Sequence, residues 1–139
     1  GVYCLRRARG RRDGTVVLQG SDVGYAFVER TLPRLREKGV ELEAYYIASA
    51  ELFDLLPAEE RERIYPETAA QEAMGITGFT LATMERWVCS GRGRAMTLHP
   101  FRQGRFLGSG PADRVLEEAG LDGESQFKAI LRYLDKPAR

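Results

Sequence analysis

Hydrophobic and polar positions along the chain follow two periods. Short runs of adjacent or alternating apolar residues are separated by stretches in which apolar residues recur every three or four positions. Val2, Tyr3, Cys4 and Leu5 make a first short strand. Residues 6–13 form a polar turn carrying Arg6, Arg7, Arg9, Arg11 and Arg12, closed by the turn dipeptide Asp13-Gly14. Residues 15–19 are β-branched and apolar almost without interruption, as expected of a strand covered on both faces. After Gly20, Ser21 or Asp22 offers a side-chain oxygen to the orphan amides of a helix. That helix is expected to reach about Lys38, with Gly39 as its left-handed stop. Val28, Leu32 and Leu35 share its inner face. Pro33 lacks the amide that would bond the carbonyl four residues back, so a kink is expected near Glu29.

Residues 41–47 read as a strand. Ser49 caps a short helix through Asp54. Pro57 opens another helix, with Glu59 and Glu60 at the positive end of its dipole, and Pro66 stops it. A short strand at 69–73, a glycine-containing loop at 75–78, a helix over 81–88 and a strand over 95–99 follow. Two helices, 113–119 and 124–134, complete the chain, separated by Gly120 and Gly123. Because parallel neighbours need crossover connections, this order predicts one α/β domain over residues 1–139. Its sheet should be mostly parallel, with helices on both faces.

Composition narrows the function more than the fold. The chain is 43% hydrophobic, and 21 basic against 20 acidic side chains leave a formal charge of +1. No overall field therefore draws in nucleic acid or an anionic membrane. No apolar run approaches the roughly 18 residues of a membrane span, and a cytoplasmic protein is expected. Cys4 and Cys89 lie far apart and match no zinc or redox spacing. The single histidine, His99, weakens any mechanism built on imidazole pairs or histidine-rich metal sites. The start at Gly1 is expected to be a cut within a longer protein or the scar of a tag.

Candidate chemistry is sparse. The turn Gly20-Ser21-Asp22-Val23-Gly24 lies between a buried strand and a helix start, where backbone amides can cradle an anion. Its glycine spacing is not that of a dinucleotide fingerprint, it lacks a P-loop lysine, and it is not a nucleophile elbow. Its plainer reading is a tight turn and a helix start. Gly108-Ser109-Gly110-Pro111 is a second turn of the same kind. His99 ends a predicted strand, where ligands of open α/β sheets gather; its plainer reading is a packed loop residue. A small anionic ligand held by Gly20, Ser21, Asp22 and His99 is one expectation. A hydrolase would have only Ser21 or Ser109 with His99 to work with. The arginines of residues 6–12 have no interleaved aromatics and read as a solvated loop or an edge facing a partner domain. No carboxylate pair or Cys/His cluster stands out as catalytic or metal-binding.

Five segments, taken in order, resemble the C-terminal domain of transketolase and its thiamine-diphosphate-dependent relatives. Val17-Leu18-Gln19-Gly20-Ser21-Asp22-Val23 is similar to a strand-turn-helix of the type A-T-G-S-E-V. Ser49 with Glu51-Leu52-Phe53-Asp54 resembles S-W-E-L-F-D, Ala50 replacing the tryptophan. Glu72-Ala73 matches the end of V-E-A, and Glu85-Arg86-Trp87-Val88 is similar to W-E-R-Y-V. Arg105-Phe106, Ser109, Pro111-Ala112, Glu117-Glu118 and Gly120 fall at the spacings of D-R-F-G-A-S-A-P-A…E-E-F-G. The segment 99–103 is extra length, and Leu107-Gly108 shifts the usual glycine by one position.

The resemblance implies a three-layer α/β/α domain with a five-stranded, mostly parallel mixed sheet whose first strand is antiparallel. It also implies that thiamine diphosphate and a divalent metal belong to preceding domains, leaving no catalytic, cofactor-binding or metal residue on this one. The whole enzyme would transfer a two-carbon ketol unit between sugar phosphates. This domain would pack on its neighbours and contribute to the assembly of a homodimer. Deoxyxylulose-phosphate synthases and the E1 components of 2-oxoacid dehydrogenases share the architecture. A freestanding regulatory module binding a small anion is the reading from another class.

Overall fold

A computed structural model describes residues 1–104 and 110–136. Four strands form one mixed sheet in the order β1-β3-β2-β4: β1 (Val2–Arg6), β2 (Gly14–Gln19), β3 (Leu42–Ile47) and β4 (Ala73–Thr77). β1 runs antiparallel to β3, with Val2 opposite Ile47, and the register slips between Cys4 and Arg6. β2 lies parallel to both β3 and β4, with Val17 opposite Tyr45 on one side and Gly75 on the other. The continuous apolar run of residues 15–19 thus occupies the centre of the sheet, buried on both faces.

Helices cover both faces, and the side-chain alternation of β2 divides two apolar clusters between them. Val16 and Leu18 meet Phe27, Leu35, Phe127, Ile130 and Leu131 on one face. Val17 meets Tyr45, Phe53, Tyr65, Met84 and Trp87 on the other. The first layer holds α1 (Ser21–Ala26), a π-helical turn (Phe27–Thr31), α2 (Leu32–Glu37) and α8 (Gly123–Tyr133), with α7 (Ala112–Glu118) alongside. The second holds α3 (Ala50–Asp54), α4 (Ala58–Ile64), α5 (Glu67–Glu72) and a 3₁₀ turn (Leu81–Met84). α6 (Gly91–Met96) then leads back to the sheet.

The expected kink takes the form of that π turn. Pro33 cannot donate to Glu29, and the helix widens just before it instead of breaking.

The second half departs from expectation in four places. The predicted strand at 69–73 is the end of α5, because Pro66 and Glu67 open a helix there instead of closing the previous one. Residues 73–77, part of them expected as a loop, form the fully buried β4. Gly75 sits inside this strand because a Cβ there would lie 2.8 Å from Met84 Cε. The predicted helix over 81–88 is a single 3₁₀ turn followed by further turns. The predicted strand over 95–99 begins as the end of α6 and pairs only at Leu98, parallel to Ile76. Among the described residues the sheet therefore has four strands and a one-residue fifth edge, not five full strands.

Candidate functional site

The turn after β2 is fixed by its backbone. Gly20 has φ 109°, a region that disfavours side chains, and the Gly78 amide donates to the Gln19 carbonyl at 2.9 Å. Gly20 is itself the residue before the helix, and no side chain caps it. Ser21 and Asp22, expected as capping residues, instead lie exposed in the first turn of α1, where Asp22 faces the positive end of the helix.

Where β2 and β4 end, the chain changes direction. In the order β1-β3-β2-β4 the chain leaves β2 into the first layer, toward β3, and leaves the neighbouring β4 into the second layer. The carboxyl ends of β2 and β4 therefore form a topological switch point, the place where open α/β sheets hold ligands. A groove of about 480 Å³ opens there, lined by Gly20, Ser21 and Asp22 together with Gly78, Phe79 and Pro100. Val115, Leu116 and Leu121 close it from the side of α7. A second trough, of about 680 Å³, continues from it between α1–α2 and α7–α8, and shares Asp22, Ala112 and Leu116 with the first.

His99 is not brought to this groove, although the adjoining Pro100 lines it. Its Nδ1 accepts the Phe101 amide at 3.3 Å, which leaves the ring proton on Nε2. Burial, with Arg102 nearby, holds its pKa below the ordinary histidine value and favours the neutral ring. The sequence-predicted set thus divides: Gly20, Ser21 and Asp22 share one groove, and His99 serves its own loop. Of the second glycine turn, Gly108 and Ser109 lie outside the described residues, as do Arg105, Phe106 and Ser109 of the family resemblance.

The arginine-rich turn is largely neutralised within the molecule. Arg6 stands 3.6 Å from Glu41, Arg7 and Arg12 each 3.5 Å from Glu43, and Arg12 also binds Glu72. Glu72 additionally accepts from Thr15 Oγ1 at 2.9 Å. Three of the five arginines thus tie the turn to β3 and α5.

Two resemblance segments meet in the second layer. The Arg86 guanidinium donates to both oxygens of Asp54, at 2.8 and 2.6 Å, and lies 4.5 Å from the Trp87 ring centroid. Phe53 and Trp87 pack with ring centroids 5.4 Å apart. Ser49 caps α3 by accepting the Leu52 amide at 3.1 Å. These motif residues hold helices together. The residues around the Gly20 turn do not fit thiamine diphosphate: Asp22 stands at its mouth, and the adjoining trough is lined by six carboxylates and two arginines. Among the described residues no three His, Cys, Asp or Glu side chains stand in metal-ligating arrangement. No step of chemistry is assigned to either group on this chain.

The fold and groove define an α/β domain of the three-layer, doubly wound kind. No family model and no curated protein matches the sequence. Solved transketolases do match in structure. Against transketolase from Leishmania mexicana the TM-score is 0.70 at 17% identity, over 97% of this chain and 18% of that one. The enzyme from Campylobacter jejuni subsp. jejuni gives 0.69 at 19% identity, over 95% and 18%. An H261F mutant of the Pichia stipitis enzyme gives 0.67 at 18% identity, over 97% and 18%. The chain has the fold of one segment of those enzymes and spans 18% of their length.

Proposed function

We propose that this chain is the C-terminal domain of a transketolase-like, thiamine-diphosphate-dependent enzyme, and that it serves that enzyme as a structural and assembly element. The observation that carries the reading is the match in fold of nearly the whole chain to 18% of each transketolase. The order of the resembling segments supports it. In this reading the cofactor and a divalent metal sit on preceding domains, and the whole cytoplasmic enzyme transfers a two-carbon ketol unit between sugar phosphates. Its partners are those preceding domains and a second protomer. The domain's own work is to bury apolar surface against them, so its removal acts through stability and assembly instead of through loss of a proton donor.

The test has two arms. The reading frame upstream of Gly1 should encode the diphosphate-binding G-D-G…N motif of thiamine enzymes, and the whole protein should carry out ketol transfer. The purified 139-residue chain should neither turn over ketose phosphates nor bind thiamine diphosphate with magnesium in a calorimeter. Turnover by the chain alone, or micromolar binding of the cofactor to it, would sink the proposal.

A further inference from the structure

The joined troughs at the switch point combine two chemistries along one line. At the end nearest the sheet the walls are apolar: Phe79 is 54% exposed, and Val115, Leu116 and Leu121 lie opposite it. Further along, Asp22, Glu29, Asp113, Glu117 and Asp122 line the walls without an ion pair among the described residues. Among the described residues, Arg30 is the one guanidinium there likewise outside any ion pair. Arg34 is committed to Glu124 and stacks on Phe127, 3.9 Å from the ring centroid. Tyr25, 68% exposed, adds an aromatic surface to the acidic stretch.

We propose that this groove docks a polypeptide segment of a partner protein, with one or two apolar side chains seated beside Phe79 and following Lys or Arg residues along the carboxylates. Charge complementarity carries the choice of occupant. An anion would meet five carboxylates that no described cation neutralises, Asp122 accepting only the Ser125 hydroxyl, whereas a basic segment neutralises them and gains the aromatic face of Tyr25. The two troughs lie side by side and share Asp22, Ala112 and Leu116, which favours a segment spanning both over a small amine held in one. The chain's own basic turn is a poor candidate: Arg7, Ala8, Arg9, Gly10 and Arg11 bring charge but no large apolar anchor. The inference is independent of the transketolase reading, since it concerns a surface of the isolated chain.

Fluorescence anisotropy on the 139-residue chain tests it. The probe is a labelled 14-residue peptide with two leucines four positions apart followed by four lysines. Matched peptides carry Glu for Lys, or Ser for Leu. Saturable binding is expected for the first peptide, at least about tenfold weaker for either match, and weaker again when salt shortens the screening length from about 14 to about 6 Å. The Glu29→Gln/Asp113→Asn/Glu117→Gln variant should lose about tenfold, and Phe79→Ser about threefold, with unchanged circular dichroism. All four positions are at the surface, so folding is not at stake. Absent binding, equal affinity for the glutamate peptide, an unaffected triple variant, or equal competition by spermidine each overturns the proposal. So does self-association of the chain that blocks the probe.

Discussion

At the scale of single residues, the second layer is organised by rings. Tyr45 and Tyr65 meet edge to face at 4.9 Å, Tyr65 and Trp87 at 5.5 Å, and the Tyr65 hydroxyl donates to the Trp87 carbonyl at 2.5 Å. Burial, helped by the Glu43 carboxylate, pushes the Tyr45 hydroxyl from the ordinary 10.0 up to about 12, and burial raises Tyr65 as well. A raised pKa means that the unfolded chain loses these protons first as pH rises. The stabilisation is therefore complete below pH 10.0 and drains away as pH climbs toward 12. Each tyrosine should remove up to about 1.4 kcal/mol per pH unit in that window. Urea unfolding between pH 9 and pH 11 measures it, and Tyr45→Phe should flatten part of the slope. A stability profile level across that range would contradict the burial of both hydroxyls.

At the scale of elements, what local pattern could and could not convey separates cleanly. The strands at β2 and β3, the Ser49 cap and the disturbance before Pro33 were legible, because each depends on residues adjacent in sequence. β4 was not: its Gly75 suggests a loop, and only the approach of Met84 and Thr97 from distant positions explains a glycine in a strand. Ala69 and Ala70 suggested a strand, yet they are small residues on the buried side of α5. The tie between α8 and α1 was equally invisible. Gln126 is fully buried; its amide donates to the carbonyls of Leu121 at 2.8 Å and Val23 at 3.2 Å, and its oxygen lies 3.0 Å from Thr31 Oγ1. Thr31, placed by the π turn, also reaches the Gly123 carbonyl at 3.1 Å. Gln126→Leu strands these groups in an apolar layer and should cost about 1–3 kcal/mol in urea melts. Thr31→Val alone should cost less. The double variant should fall short of the sum of the two, because both act on one network. Strict additivity would show that the buried pair is not coupled.

At the scale of the whole molecule, the groove was half legible. Gly20, Ser21 and Asp22 were found through turn chemistry, while its other wall comes from α7, which is more than eighty residues away and was read only as a helix. That long-range closure has an energetic counterpart. The two apolar clusters lie on opposite faces of the sheet, and β2 contributes alternate residues to each. If β2 couples them, neither layer can unfold alone, because losing either exposes one face of the same strand. The single tryptophan, Trp87, lies in the second layer and reports on it by fluorescence. Leu131 lies in the first, on α8 and almost fully buried. Leu131→Ala should cost about 2–5 kcal/mol through the cavity it leaves. Its decisive consequence is at the far face: the urea midpoint followed by Trp87 fluorescence should move by the same amount as the midpoint followed by helical circular dichroism. A fluorescence midpoint left in place while the dichroism midpoint falls would mean that the layers melt separately. The central strand would then be a partition between two weakly joined halves instead of the element that makes them one domain.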